Sequence, residues 1–203
     1  YSTASASASR LHQIEERDVS RVTMVGVPDQ ILAMRKMETM NITPAHRIKY
    51  YFGLFCAKSF DFGPEQRAEL ERMGGFTWEQ VSKVNLREEL ELHLYNQQVI
   101  TFPLDQVEFM TQPACRFCTD YSAELADISF GGLGAPHGWT TVVIRTAKGQ
   151  QLYNEARGKV LEEMELSKMT PLRATARQLI EHHSAAKRAR GLKNLGDLVR
   201  VAA

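Results

Sequence analysis

The sequence has almost no excess of charge of either sign. Twenty-five Lys and Arg residues stand against 24 Asp and Glu residues, which gives a formal net charge of +1 over 203 residues. A broad basic surface for a phosphate backbone is therefore not expected, and nucleic acid is excluded as the main partner. With 43% hydrophobic and 24% charged residues, the composition is that of a globular protein with a substantial core.

Long apolar runs are also missing. No window approaches the roughly 18 consecutive apolar residues of a transmembrane helix, and the opening YSTASASASR lacks the apolar core of a signal peptide. We therefore expect a cytoplasmic chain without a transmembrane segment. Because the chain opens on Tyr1 and a Ser/Ala run, we expect a single domain over residues 1–203 that forms the C-terminal part of a longer subunit.

Cysteine is scarce, and the three that occur cannot all be paired as disulfides. Cys115 and Cys118 form a CxxC motif, whose two thiolates can bind one metal ion or one edge of a cluster. Zinc, an iron–sulfur cluster and a dithiol redox pair all use this motif, and two buried structural cysteines are the plainer alternative. Cys56, at the end of a predicted strand, is a candidate third ligand.

Several common catalytic motifs are absent. The sequence contains no Walker A loop, no GxSxG elbow and no HExxH helix, so nucleotide hydrolysis, serine-esterase and zincin chemistry lack their usual residues. His182 and His183 are interpreted as a surface pair on a helix. The basic stretch 187–193 is favourable at a helix C-terminus and needs no ligand to explain it.

Strands and helices alternate along the chain. VTMVGV (22–27) and RIKYYFGLFC (47–56) are typical of buried strands, and Pro28 opens a helical pattern between them. The later pattern predicts a helix over 64–73, a short capped helix at 77–80 and a β-hairpin over 90–102. Strands are predicted at 126–130 and 139–146. A helix follows a turn at Lys148-Gly149, and a long helix runs from Thr170-Pro171 to Gly191. We predict an α/β fold with a mixed, partly parallel sheet, flanking helices and a C-terminal helical tail.

A glycine-rich loop, GGLGAPHG, spans residues 131–138. Its glycines allow main-chain amides to approach a phosphate or a flat ring closely. It is not a Rossmann fingerprint, because the following segment has the pattern of a strand and not of a helix. A long hairpin turn with positive φ values is the structural alternative. His137 is the histidine of this loop and a candidate site residue.

One spaced block of residues resembles a known family. The block consists of Cys115-x-x-Cys118-x-Asp120-Tyr121-x-Ala123-Glu124-Leu125-Ala126-Asp127-Ile128-Ser129, followed by Gly131, Gly134, Pro136, Gly138 and Trp139. It resembles the C-terminal region of the coenzyme F420 hydrogenase/dehydrogenase β-subunit family. Upstream, Val25-Gly26-Val27-Pro28 followed by Gln30 is similar to the family's turn after a parallel strand. Gly53-Leu54-Phe55-Cys56 resembles the family's next strand with the cysteine that closes it. The resemblance runs from Tyr1 to about residue 158 and leaves 159–203 as a helical tail.

The resemblance implies a 4Fe-4S cluster held partly by Cys56, Cys115 and Cys118. Asp29 stands where the family's strand-end turn normally has a cysteine. A carboxylate can bind iron, although it is a harder and weaker ligand than a thiolate. We therefore hypothesise Asp29 as the fourth ligand. The alternatives are an open or lost fourth position, or no cluster at all.

The resemblance also implies FAD beside the cluster. The residues expected to border the flavin are Tyr1, Ser2, Gly131, Gly132, Gly134, Ala135, His137, Gly138 and Trp139. A flavin accepts a two-electron hydride and releases single electrons to an iron–sulfur centre. The implied function is electron transfer between an iron–sulfur chain and a hydride carrier, by default coenzyme F420, in an oxidoreductase complex with a hydrogenase-, formate dehydrogenase- or heterodisulfide reductase-like partner.

Two other functions remain open at this stage. One is a docking or structural subunit of a redox complex that has lost its own redox centre, which the aspartate at position 29 favours. The other is a zinc site built from the three cysteines with Asp29 or a histidine, for which tetrahedral coordination suffices.

Overall fold

The computed structural model describes residues 21–43, 45–86 and 89–202. Residue contacts divide them into two compact units: Lys58–Arg116 forms one, and residues 21–57 with 117–202 form the other. The expectation of a single domain stays a prediction, because compactness does not show whether a unit folds alone. Tyr1 and Ser2 lie outside the described residues.

Seven strands and four α-helices make up the described chain. In order they are β1 (Val22–Gly26), α1 (Pro28–Thr39), β2 (Ile48–Leu54), α2 (Pro64–Gly74), β3 (Val81–Leu86), β4 (Glu89–Leu94), β5 (Val99–Pro103), β6 (Ile128–Gly131), β7 (Thr141–Ile144), α3 (Ala147–Ala156) and α4 (Leu166–Ala202). Short 3₁₀ turns lie between some of them, including one at Trp78–Gln80 where the sequence predicts a short helix.

The larger unit contains a four-stranded sheet in the order β1-β2-β6-β7. β1, β2 and β6 run parallel, while β7 pairs with β6 in the antiparallel direction. The prediction of a mixed, partly parallel α/β sheet is therefore confirmed. The apolar core of this unit is a buried cluster in which Ile31 and Met34 of α1 pack with Ile48 and Tyr51 of β2.

A buried carboxylate, that of Asp127, lies directly before β6 and beside the middle of β2. It accepts hydrogen bonds from the backbone N–H of Tyr51 (2.9 Å) and the hydroxyl of Thr146 (2.8 Å). The Arg35 guanidinium and the Lys148 ammonium lie 3.3 and 3.2 Å from its oxygens. This set of partners compensates the loss of hydration that the buried charge suffers. Asp127 therefore serves the fold by joining the start of β6 to the middle of β2.

The smaller unit is built on the antiparallel sheet β3-β4-β5. The alternation along β4 buries Leu90, Leu92 and Leu94, whereas Glu91 and His93 are partly exposed. The predicted hairpin is confirmed, because β4 pairs with β5 in register. Sequence reasoning missed β3, which follows the short helix directly.

The tail helix α4 is longer at both ends than the sequence predicts. Thr170-Pro171 was expected as its start and Gly191 as its stop, but the helix runs from Leu166 to Ala202 through both positions. Both predictions were wrong. Pro171 stands near the helix start, where its missing N–H costs a single bond. Gly191 is required by close packing instead, since a Cβ there would lie 2.9 Å from the carbonyl oxygen of Cys118.

The turn predicted at Lys148-Gly149 is also placed differently. Both residues lie inside the first turn of α3, and Thr146 is the N-cap. Its hydroxyl oxygen accepts the N–H of Gly149 at 3.1 Å, as a threonine cap does. Among the described residues, none of the helices has the length and apolar character needed to cross a bilayer.

Candidate functional site

The carboxyl ends of the three parallel strands meet at one edge of the larger sheet. β1 and β2 pair with Gly26 opposite Gly53, so the segments that follow them lie side by side. Asp29 is in the first turn of the helix after β1, Cys56 is in the turn after β2, and the glycine loop leaves β6 at the same edge. Parallel α/β sheets bind their ligands at this edge.

Hydrogen bonds fix the turn that carries Cys56. The N–H of Phe55 donates to the carbonyl of Phe130 at 2.8 Å, and the N–H of Cys56 donates to the carbonyl of Tyr121 at 2.9 Å. Gly131 is packed against the same turn, because a Cβ there would lie 2.0 Å from the ring of Phe55. The segment after the CxxC motif and the end of β6 therefore both hold this turn.

None of the three cysteines forms a disulfide in the described part of the chain. Cys115 is buried in the 3₁₀ turn Pro113–Arg116, and its sulfur accepts the N–H of Ser59 at 3.3 Å. Backbone N–H groups of this kind also stabilise thiolates that bind a cluster. Cys118 is half-buried, with its sulfur 3.5 Å from the carbonyl oxygen of Asp120.

Cysteine thiolates are the usual ligands of an iron–sulfur cluster, whereas the carboxylate of Asp29 is a less suitable ligand. One carboxylate oxygen of Asp29 accepts the N–H of the next residue, Gln30, at 3.0 Å. Within residues 21–43, 45–86 and 89–202, no three His, Cys, Asp or Glu side chains form a group that could hold a metal ion. Cys115 belongs to the smaller unit, and Asp29, Cys56 and Cys118 belong to the larger one. The ligand set expected from the resemblance therefore stays a prediction.

The glycine loop is a wide hairpin connection between the antiparallel strands β6 and β7. Gly134 and Gly138 have φ values of +78° and +84°, as the hairpin alternative requires. Two of its amides are used inside the loop: the N–H of Ala135 donates to the Gly132 carbonyl, and that of Trp139 to the Pro136 carbonyl. These two amides are not available to a ligand in this conformation.

A cavity of about 1250 Å³ opens between this loop, β7, α3 and α4. The loop side includes Gly134, Ala135 and Trp139, and the helix side includes Tyr153 of α3 and Ala176 of α4. The volume exceeds that of a typical pocket for a small ligand, which is about 300–1,000 Å³. The cavity lies entirely within the larger unit.

Some residues predicted to border a flavin line this cavity and others do not. Gly134, Ala135 and Trp139 belong to its lining. Gly131 packs on Phe55 instead. The remaining predicted residues of the loop, Gly132, His137 and Gly138, are exposed and are not part of the lining.

Arg145 is a cavity residue that sequence reasoning missed. Its guanidinium donates to the hydroxyl of Ser129 at 2.6 Å, and to the carbonyl and hydroxyl of Ser122 at 3.0 and 2.8 Å. Burial lowers the pKa of Arg145, and the carboxylates of Asp120 and Glu124 oppose that shift. The sequence offered one signal for it: Arg145 is the charged residue at the end of the strand pattern TTVVIR.

The buried carboxyl of Asp120 lies near this arginine. Burial raises the pKa of Asp120 above its ordinary value, while the N–H of Glu124 and the charge of Arg145 act in the opposite direction. One oxygen accepts the Glu124 N–H at 2.8 Å. The other oxygen is buried without a hydrogen-bond partner among the residues that the structure describes.

The tail helix reaches the turn that carries Cys56. The Lys187 ammonium donates to the carbonyl of Cys56 at 2.7 Å, and Arg190 donates to the carbonyl of Ala57 at 3.3 Å. Arg188 binds both carboxylate oxygens of Glu124, at 2.8 and 2.7 Å. The interpretation of stretch 187–193 as a helix C-terminus was wrong, because the helix continues and these cations bind specific groups.

His182 and His183 are exposed, as predicted for a surface pair. The structure adds that His183 stacks on Tyr121, with ring centroids 5.3 Å apart, and that Tyr121 contacts Phe55 at 5.8 Å. Burial, followed by the nearby thiol of Cys56, raises the pKa of Tyr121. The helix thus covers an aromatic pair next to Cys56.

These features define an α/β protein whose described part has three cysteines without a disulfide and a large cavity bordered by a glycine loop. Residues 19–169 match the family described as the C terminus of the coenzyme F420 hydrogenase/dehydrogenase beta subunit, and the chain belongs to this family. The resemblance and the fold class given by the sequence are therefore confirmed.

Several curated proteins are similar to the chain. It is 30% identical over 191 residues to the coenzyme F420 hydrogenase subunit beta of Methanothermobacter thermautotrophicus, covering 88% of this chain and 67% of that protein. The Methanococcus voltae protein of the same name is 32% identical over 162 residues, covering 78% and 57%. The coenzyme F420-dependent sulfite reductase of Methanocaldococcus jannaschii is 30% identical over 172 residues, covering 76% and 27%.

A solved structure shares the fold. A chain of the F420-reducing [NiFe] hydrogenase complex from Methanosarcina barkeri superposes with a TM-score of 0.70 at 26% identity, covering 88% of this chain and 64% of that chain. Across these matches, the present chain spans between about a quarter and two thirds of the length of its relatives.

Proposed function

We propose that this chain is part of an electron-transfer subunit of an F420-dependent oxidoreductase, and that it contributes to binding FAD and a 4Fe-4S cluster. The cavity of about 1250 Å³ beside the glycine loop carries the proposal, because it lies largely in the part of the chain that the family matches. The names of the relatives support F420 as the hydride carrier.

The cavity offers the surfaces that a flavin needs. Trp139 and Tyr153 supply aromatic area, and Arg145 supplies a cation that has no ion pair with a carboxylate among the described residues. An aromatic ring stacks with a flat ring system. The positive charge of Arg145, whose Nε and Nη2 donate to Ser129 and Ser122, attracts phosphate oxygens. When bound, FAD would supply the exchange between a hydride and single electrons.

The three cysteines are the proposed thiolate ligands of the cluster, with Asp29 as the fourth. Two observations support the cysteines: no disulfide joins them within the described residues, and the N–H of Ser59 donates to the sulfur of Cys115. For Asp29 the support is its place directly after β1, at the same sheet edge as Cys56.

The composition of the anaerobically purified protein tests the proposal. About four iron and four sulfide per chain, with one FAD, are expected for a 4Fe-4S flavoprotein. Cys56→Ser, Cys115→Ser and Cys118→Ser should each lower the iron content. Reduced F420 should then reduce the flavin in a stopped-flow experiment, and no flavin reduction by this donor would exclude F420 as the carrier.

A docking or structural subunit without a redox centre is the second candidate. It is favoured by one observation: Asp29, Cys56 and Cys118 form no three-ligand group within the described part of the larger unit. A colourless preparation that contains neither iron nor flavin would support it. Zinc without iron or sulfide would instead indicate a zinc site at the cysteines.

The proposed partners are the other subunits of a hydrogenase, formate dehydrogenase or heterodisulfide reductase-like complex. Electron transfer requires such a subunit to lie close to its donor, and the solved relative belongs to a hydrogenase complex. Co-purification of the tagged protein under anaerobic conditions tests this part. Recovery of a partner from one of these enzyme classes is expected.

A further inference from the structure

Lys187 is one of the few charged residues that are buried in the described chain. Only 4% of its surface is exposed, and its ammonium group donates to the carbonyl oxygen of Cys56 at 2.7 Å. An ammonium group loses its hydration when it is buried, and this cost is offset only by good partners. A lysine in this position therefore needs a reason beyond helix stability.

The partner of Lys187 is a peptide carbonyl and not a carboxylate. No ion pair joins this lysine to an Asp or Glu within the residues that the structure describes. Its positive charge therefore stays unneutralised beside the turn that carries the Cys56 thiol. Arg190 places a second cation on the next carbonyl, that of Ala57, at 3.3 Å.

The helix backbone is also held close to the second cysteine of this unit. A Cβ at Gly191 would lie 2.9 Å from the carbonyl oxygen of Cys118, so only glycine allows this approach. The part of α4 beyond residue 169 lies outside the stretch that the family matches. The contacts to Cys56 thus come from a segment outside the family-model match.

We infer that Lys187 is a positioning residue for the redox centre, which holds the Cys56 turn through its carbonyl and keeps a positive charge beside the thiolate-bound group. This inference rests on the proposed function. A cation near such a group favours the form with the extra electron, because that form is more negative. Removing the charge should therefore make the centre harder to reduce.

The test compares Lys187→Met, Lys187→Gln and Lys187→Arg with Lys193→Met. Lys193 lies on the same helix and is exposed, so it is a matched control. Two quantities are measured: the midpoint potential of the iron–sulfur centre by an EPR-monitored titration, and amide hydrogen exchange in a peptide covering residues 55–58. Lys187→Met and Lys187→Gln should shift the potential to more negative values. Lys187→Met should also speed exchange around Cys56, while Lys187→Arg and Lys193→Met should resemble the wild type.

The outcomes separate this inference from the proposed function. An iron-loaded Lys187→Met protein with wild-type potential and wild-type exchange would overturn the role of Lys187 and leave the proposed function intact. If that variant does not fold, equal potentials for Lys187→Gln and Lys187→Arg would overturn it in the same way. A wild-type protein without iron would contradict the proposed cluster, and the inference about Lys187 would fall with it.

Discussion

Gly134 of the glycine loop lies directly against Ala176 of the tail helix. A Cβ on Gly134 would be 2.5 Å from both the Cα and the Cβ of Ala176, and the backbone φ of Gly134 is +78°. No L side chain fits this distance without movement of the helix or the loop. The wall of the cavity therefore depends on a glycine at this one position.

Gly134→Ala should separate the loop from the tail helix and weaken the flavin binding proposed for this cavity. The backbone conformation and the contact with Ala176 both oppose the added methyl group, so a destabilisation of about 1–3 kcal/mol is expected. Urea denaturation and the FAD content of the purified protein measure the two effects. Gly132→Ala is the matched control, because nothing lies within 4 Å of a Cβ there and its φ is not positive. Equal FAD content in both variants would contradict the role of the contact.

Asp127→Ala should destabilise the larger unit without a direct effect on the site. It removes the acceptor of Tyr51 and Thr146 and takes one carboxylate from each of Arg35 and Lys148, although Arg35 keeps its ion pair with Glu38. A loss of about 3 kcal/mol in the free energy of unfolding is expected.

Asp105→Ala is the control for this substitution. Asp105 is exposed and accepts a single bond, from the N–H of its neighbour Gln106. Denaturation curves of the two variants should differ clearly. An Asp127→Ala protein as stable as the Asp105→Ala protein would show that the buried carboxylate is not a structural centre.

Asp29→Ala should alter the EPR spectrum of the reduced protein if the carboxylate binds iron. Loss of one ligand should also lower the iron content or give a three-iron signal. Glu65→Ala is a close control, since Glu65 follows Pro64 in the first turn of α2 as Asp29 follows Pro28 in α1. Spectra of Asp29→Ala that are identical to those of the wild type would show that this carboxylate does not touch iron.

Asp120→Asn should change how stability depends on pH. Burial raises the folded-state pKa of Asp120 above its ordinary value of 3.8, so the folded protein binds this proton more tightly than the unfolded chain. The contribution to stability is then fully present below the unfolded pKa and is lost as pH rises through the folded pKa.

The asparagine variant lacks this loss. Its free energy of unfolding, relative to that of the wild type, should increase as the pH is raised from about 3 towards neutrality. Urea titrations at several pH values measure the difference, with Asp105→Asn as the exposed control. A constant difference across this range would mean that the proton of Asp120 is bound equally in both states.

The sequence by itself determined the local elements and the family. The β-branched run 22–27, the proline at position 28 and the alternation along 90–94 all specify structure within a few residues, because periodicity and backbone restriction act locally. The spaced block from Cys115 to Trp139 indicated the family, and the match over residues 19–169 confirms it.

Only the tertiary structure decided what those elements do together. Pro171 and Gly191 have the local character of helix ends, yet the helix passes through both. At Gly191, packing against the Cys118 segment outweighs intrinsic preference. The contacts of Lys187 with Cys56 and of Gly134 with Ala176 join residues 131 and 42 positions apart. No local pattern encodes such contacts, since they depend on where the folded chain returns upon itself.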